Sequence, residues 1–141
     1  MVDDVVKIIK DRNLEEQCIL ISLNYDVISY SYNTYKDIKT GLLYFFYFGD
    51  HKDLDCDYLI IEEEALTSTT ISAIHKAGKK VAVWTINSSD SYYTMLNSGV
   101  DYIVTDEVDL GYSIINQLKN RTDLQRMKDA SGYTKPDSMN Y

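Results

Sequence analysis

Apolar residues along this chain fall into two kinds of run. Val2, Val5, Val6 and Ile9 are spaced i, i+3, i+4, i+7, which predicts an amphipathic helix over 3–12. Asp3 and Asp4 open it, and Lys10 and Arg12 close it, the charge order that the helix dipole favours. Short apolar runs rich in aromatic and branched residues then recur at 19–23, 41–46, 58–62, 81–86 and 101–105. Runs of that length bounded by polar residues or glycine predict buried strands. Helical segments fall between most of them. One spans roughly 26–36 behind Asn24-Tyr25-Asp26, and one spans 68–77 behind Thr67, with Ile71, Ile74 and Ala77 on one face. Another runs from about 89 to 98, and the last from Val108 to Leu118 carries Leu110, Ile114 and Leu118 together. Thr67 reads as an N-cap, and Gly78 and Gly99 as C-terminal stops.

Strands that are apolar on both faces and alternate with helices imply a parallel sheet covered by helices. The fold class expected is α/β, a fragment of a TIM-barrel-type (β/α) fold with helices outside. A flavodoxin-like domain would need a first strand, and Met1-Val2 is too short for one. The chain opens on a helix, an odd start for a barrel, so an upstream part is expected. Five strand candidates are one more than half of an eight-stranded barrel. Residues 119–141 are polar and hold the single proline, Pro136. They are expected to form a largely disordered tail, with Leu124 and Met127 able to extend the last helix, so the domain is placed at 1–118.

Composition narrows the classes. A chain of 141 residues that is 45% hydrophobic suits one packed domain. Its net charge of −8 speaks against nucleic acid as a partner. The most apolar stretch, Leu42 to Phe48, is far shorter than the roughly 20 residues of a membrane helix. The N-terminus lacks the basic and apolar regions of a signal peptide. Cys18 and Cys56 show no metal-ligand spacing and read as buried free thiols.

In parallel α/β folds the chemistry sits at the C-terminal ends of the strands. Here those ends hold Ser22, Asn24, Tyr47, Asp50, Glu62, Glu64, Trp84, Asn87, Thr105 and Asp106. Glu62, Glu64 and Asp106 are oxygen ligands of the kind a hard cation takes, but without ligand spacing. His51 lies in a polar loop and His75 near a helix C-terminus, neither with a nucleophile beside it. No catalytic or metal-binding set emerges.

Several stretches, taken in order, carry a resemblance. They are Ile21-Ser22 followed by Asn24-Tyr25-Asp26, Lys39-Thr-Gly-Leu-Leu43, Glu62-Glu-Glu-Ala-Leu66 and Ala73-Ile-His-Lys-Ala-Gly78. Val83-Trp-Thr-Ile-Asn87 and Gly99-Val-Asp-Tyr-Ile-Val-Thr-Asp106 complete the set and are its most specific members. Together they resemble the C-terminal half of glycerophosphodiester phosphodiesterases over residues 1–118. Those enzymes are PLC-like barrels that hydrolyse glycerophosphodiesters to glycerol 3-phosphate and an alcohol with a divalent cation, Ca or Mg. Their His-Arg-Gly, His-Asp and Glu-x-Lys strand ends have no counterpart in this sequence. Leu23 also stands where the family's Ser-Phe-Asp has phenylalanine. Only Trp84 carries over, as a wall of the substrate pocket, with a plain barrel-core role as its rival.

The resemblance implies the C-terminal portion of a phosphodiesterase, inactive alone, with no cofactor of its own. The rival is a stand-alone half-barrel that binds or assembles without chemistry. Open sheet edges invite pairing, so the expected partner is a second copy of the chain or the missing N-terminal half. A small phosphodiester is the substrate of the intact enzyme. A soluble, cytoplasmic fragment is expected, with membrane association of the intact protein left open.

Overall fold

The computed structural model describes residues 1–45 and 50–130, and for 123–130 the backbone course alone. Helix α1 (Val2–Asp11) leads into strand β1 (Ile19–Ser22), helix α2 (Tyr25–Thr34) and strand β2 (Lys39–Tyr44). Strand β3 (Tyr58–Glu62), helix α3 (Ser68–Lys76), strand β4 (Lys80–Trp84) and helix α4 (Ser89–Ser98) follow. Strand β5 (Tyr102–Ile103) and helix α5 (Val108–Ala130) complete the order. The predicted strand ends Phe46 and Tyr47 lie outside the described residues.

The helix starts follow from local chemistry. Asn24 Oδ1 accepts the amides of Asp26 and Val27, at 2.9 and 3.4 Å. Thr67 Oγ1 accepts the Thr70 amide and Ser88 Oγ the Ser91 amide. Each side chain satisfies an N–H that the helix itself leaves open. Gly99 ends α4 in the left-handed region at φ +93°, which a residue with a Cβ enters at a cost.

The five strands lie in the order β1-β2-β3-β4-β5, each neighbouring pair parallel. Sequential order in a parallel sheet means that every connection passes over the same face, as right-handed crossovers require. The helices bury that face. Leu42, Leu59, Ile61 and Val81 pack with Ile28 of α2 and with Ile71 and Ile74 of α3. Val83 packs with Tyr92 and Met95 of α4 and with Ile114 of α5. Burying side chains of this size contributes roughly 1.5–3 kcal/mol each, so these two clusters carry the stability of the outer layer. The other face of the sheet holds a smaller cluster, with Tyr58, Ile60 and Ala82 packed beside Leu43 and Trp84.

Helix α1 is fastened to α2 by polar contacts as well. Asp3 accepts hydroxyl bonds from Tyr30 and Tyr35, and Lys10 pairs with Asp37 at 2.7 Å. Lys79 is buried, with its ammonium donating to the Leu54 and Cys56 carbonyls at 2.6 and 3.0 Å. That ties the loop before β3 to the start of β4.

One boundary differs from the sequence reading. Helix α5 continues past Leu118 to Ala130, through residues assigned above to a disordered tail. Eight of the twelve residues from Lys119 to Ala130 are Lys, Arg, Leu, Gln, Met or Ala, which are good helix formers. Lys119 to Thr122 are exposed. Residues 131–141 lie outside the described residues. Among the described residues no helix is long and apolar enough to cross a membrane.

Candidate functional site

Strand register decides which side chains look away from the helices. Gly41 pairs with Tyr58 and Leu43 with Ile60, and Ile60 pairs with Ala82 and Glu62 with Trp84. Side chains alternate along a strand, so Leu43, Phe45, Ile60, Glu62, Ala82 and Trp84 share the inner face. Trp84 and Phe45 lie at its C-terminal rim, with ring centroids 5.3 Å apart in an edge-to-face arrangement. That geometry is favourable for aromatic pairs. The Trp84 Nε1–H is buried and meets no acceptor among the described residues, a condition rare enough in folded proteins to need a reason. The Trp84–Thr85 peptide bond is cis.

The polar residues of the rim hold the rim together. Ser22 Oγ accepts the Asn24 amide at 3.0 Å. Glu62 Oε2 accepts the Glu64 amide at 3.0 Å and caps a 3-10 turn. Asn87 bridges to the segment after β5, where its Oδ1 accepts from the Asp106 amide and the Thr105 hydroxyl. Asn87 Nδ2 donates to Asp106 Oδ2 at 3.0 Å. Thr105 Oγ1 also accepts the Glu107 amide at 2.8 Å, just before α5. Asp50 accepts the Lys52 amide and pairs with its ammonium. That amide bond first, and the ammonium after it, hold its carboxyl below the usual range.

The two histidines keep different partners. His51 Nε2 lies 3.2 Å from the hydroxyl of Tyr44, the last residue of β2. Burial lowers its pKa, against the opposing charge of Asp50. His75 lies in the last turn of α3 and meets Asp101 Oδ2 at 2.9 Å. Asp101 also accepts the Val81 amide at 2.8 Å, so this pair lies at the N-terminal ends of the strands, opposite the rim. Burial raises the Asp101 pKa, but the Val81 and His75 hydrogen bonds outweigh it and hold the carboxyl below its ordinary value.

Among the described residues no three His, Cys, Asp or Glu side chains group as a metal site. Glu62, Glu64 and Asp106 are not brought together as ligands, so these residues do not fit a divalent cation. What the rim offers is an apolar, aromatic wall with one buried N–H donor. Of the residues named from the sequence, Trp84 occupies the wall, while Asn87, Thr105 and Asp106 brace it. Phe45 escaped the sequence reading because the run 41–46 is apolar throughout. Its only signal was the two-residue spacing from Leu43.

The model of the glycerophosphoryl diester phosphodiesterase family matches residues 1–110. A Mycobacterium tuberculosis protein named "Probable glycerophosphodiester phosphodiesterase 2" is 34% identical over 62 residues, 42% of this chain and 24% of that protein. The chain therefore spans about a quarter of the length of the curated relative it matches. Two solved structures share the fold. A Parabacteroides distasonis glycerophosphodiester phosphodiesterase superposes with TM-score 0.73 at 20% identity, over 84% of this chain and 51% of that one. An Oleispira antarctica phosphodiesterase in complex with the product sn-glycerol-3-phosphate gives 0.63 at 24% identity, over 70% of this chain and 41% of that one.

Proposed function

The chain belongs to the glycerophosphoryl diester phosphodiesterase family, and we propose that it is the C-terminal portion of a metal-dependent member. In this reading it supplies the substrate wall of a barrel whose acid, base and metal ligands lie elsewhere. The intact enzyme would hydrolyse a glycerophosphodiester to glycerol 3-phosphate and an alcohol. Trp84 carries the reading. It stands on the inner face at the strand C-termini, where barrel chemistry takes place, and presents a flat apolar surface and an N–H that meets no acceptor among the described residues. A three-carbon glycerol unit fits against an indole, and an ester or hydroxyl oxygen would satisfy Nε1.

The chain's own residues bind and orient in this scheme. The described residues bring no acid and base together across a reacting bond, and general acid–base catalysis needs both within reach. A divalent cation, Ca or Mg, would arrive with the other catalytic groups. The isolated chain should therefore release no glycerol 3-phosphate from glycerophosphocholine with either ion. Turnover that survives purification and vanishes in Trp84→Ala would show that the active site had been misplaced. A chain that binds glycerol 3-phosphate without turnover in any assembly would favour the rival, a non-catalytic binding module. The use of Ser22, Asn24, Glu62 and Asn87 on local hydrogen bonds supports that rival.

A further inference from the structure

The N-terminal ends of β2, β3 and β4 border an open hollow of about 260 Å³, at the end of the sheet opposite Trp84. Three lysines line it, Lys39, Lys79 and Lys80, beside a single carboxylate, Asp57. That is a local excess of positive charge in a chain whose net charge is −8. Asp57 is already engaged, since its Oδ2 accepts the Thr40 amide at 2.8 Å and the Thr40 hydroxyl at 3.1 Å. Lys79 is only 9% exposed. An ammonium carries three N–H donors, and two of these go to the Leu54 and Cys56 carbonyls. No acceptor among the described residues takes the third, and no carboxylate among them forms an ion pair with Lys79. Asp55 feels the charge but is held by Ser29 and Asn33 instead. A buried ammonium is costly unless it is paired, so an anion in the hollow would meet a charge that lacks a counterion. Lys80 lies over the Tyr58 and Tyr102 rings, 5.9 and 5.7 Å from their centroids. Lys39 and Lys80 are exposed, and neither forms an ion pair among the described residues.

We propose that this hollow binds a small phosphate dianion, inorganic phosphate or a phosphate monoester, between the ammonium groups of Lys39, Lys79 and Lys80. Charge, donor type and size all select that chemistry. Three ammonium groups beside one engaged carboxylate suit an anion of more than one charge, and a phosphate monoester carries about −1.5 to −2 at pH 7. Arginine offers carboxylates a planar fork, whereas lysine binds phosphate as a point charge, and no arginine lines the hollow among the described residues. The volume lies below the roughly 300–1,000 Å³ of pockets for drug-sized ligands, so the ligand is small. Lys79 supplies the fixed donor, because burial and two carbonyl bonds hold its ammonium in place. Lys39 and Lys80 add charge that salt screens, and the Tyr32 hydroxyl adds a further donor on the lining. The site does not depend on the role of Trp84, which stands at the other end of the strands.

The test is heteronuclear NMR of the isotope-labelled chain, titrated with inorganic phosphate and separately with methyl phosphate, with sodium chloride holding the ionic strength constant. Saturable shifts are expected at the amides of Asp57, Tyr58, Gly78, Lys79 and Lys80, with a Kd of about 1 mM or tighter. The tighter of the two ligands identifies the source of the phosphate. Lys79→Met should abolish saturation. Lys39→Gln and Lys80→Gln should each weaken binding about threefold, as the loss of one exposed ion pair does. Where Lys79→Met fails to unfold cooperatively, the two exposed lysines changed together decide the matter. That double variant should keep the parent's urea midpoint and bind about tenfold more weakly. Shifts that grow without saturation would overturn the proposal, and so would a saturable response centred on Trp84 and Asn87. Lysine variants that bind as the parent does would overturn it as well. Tighter binding of acetate or succinate than of either phosphate would replace phosphate by a carboxylate and overturn the assignment.

Discussion

Asn87 and Asp106 hold each other by two bonds. The Asp106 amide donates to Asn87 Oδ1 at 2.9 Å, and Asn87 Nδ2 donates to Asp106 Oδ2 at 3.0 Å. The pair joins the turn after β4 to the turn after β5, beside Trp84. Because β5 has only two residues in the ladder, this clasp does much to position the segment leading into α5.

Replacing Asn87 with alanine should therefore loosen the rim. The group is exposed, so water takes over part of what is lost. A destabilisation of about 0.5–1.5 kcal/mol is expected, the usual net worth of such bonds. Urea unfolding of Asn87→Ala measures it. Hydrogen exchange at Asp106 should rise in the same variant, and exchange in α2 should not.

Acid should weaken the opposite end of the sheet through Asp101. Its folded pKa lies below the ordinary 3.8 because the Val81 amide and His75 hydrogen bonds outweigh burial. A carboxyl depressed in the folded state contributes stability that is present above the unfolded value and lost as pH falls through the folded one. The loss should fall below about pH 4. Asp101→Asn should be less stable at neutral pH and show a shallower acid limb in urea midpoint against pH. An acid limb identical to that of the parent chain would remove Asp101 from the account.

The two thiols should separate cleanly. Cys56 is buried, and burial pushes its thiol up to about 11 from 9.0, whereas Cys18 is only half-buried. Thiolate is the reactive form, so near neutral pH a thiol reagent should modify Cys18 first and Cys56 only on unfolding. A thiol raised in the folded state contributes stability below its unfolded value, and that contribution is lost as pH rises towards about 11. Cys56→Ala should flatten that alkaline limb. Mass spectrometry after timed labelling reads the first effect, and urea midpoints above pH 9 read the second.

Gly111 reverses a familiar rule. Alanine in place of a helical glycine normally gains about 1 kcal/mol. Here a Cβ would lie 2.6 Å from the Tyr92 hydroxyl oxygen and 2.9 Å from its ring, and Tyr92 is buried between α4 and α5. Overpacking of this kind costs about 1–3 kcal/mol, so Gly111→Ala should destabilise. The penalty should shrink when Tyr92→Leu is added, which a double-mutant cycle measures.

The sequence by itself determined the order of elements and most of their ends. Asn24, Thr67, Ser88 and Gly99 lie within a few residues of the groups they cap, and such short-range chemistry is written in neighbouring residues. The alternation of apolar runs with amphipathic helices likewise required a parallel sheet. The family wording around Trp84 was legible for the same reason, being contiguous. Tertiary structure decided the rest. The sequence runs 41–46 and 58–62 are apolar at nearly every position, so no pattern says which side chains turn inward; the register of Leu43 against Ile60 does. Only that register sets Phe45 beside Trp84. His75 and Asp101 are 26 residues apart, and Asn87 and Asp106 are 19 apart. Neither pair exists until parallel strands bring their ends level, because a hydrogen bond is specified by position in space and a sequence specifies position only through the packing it produces.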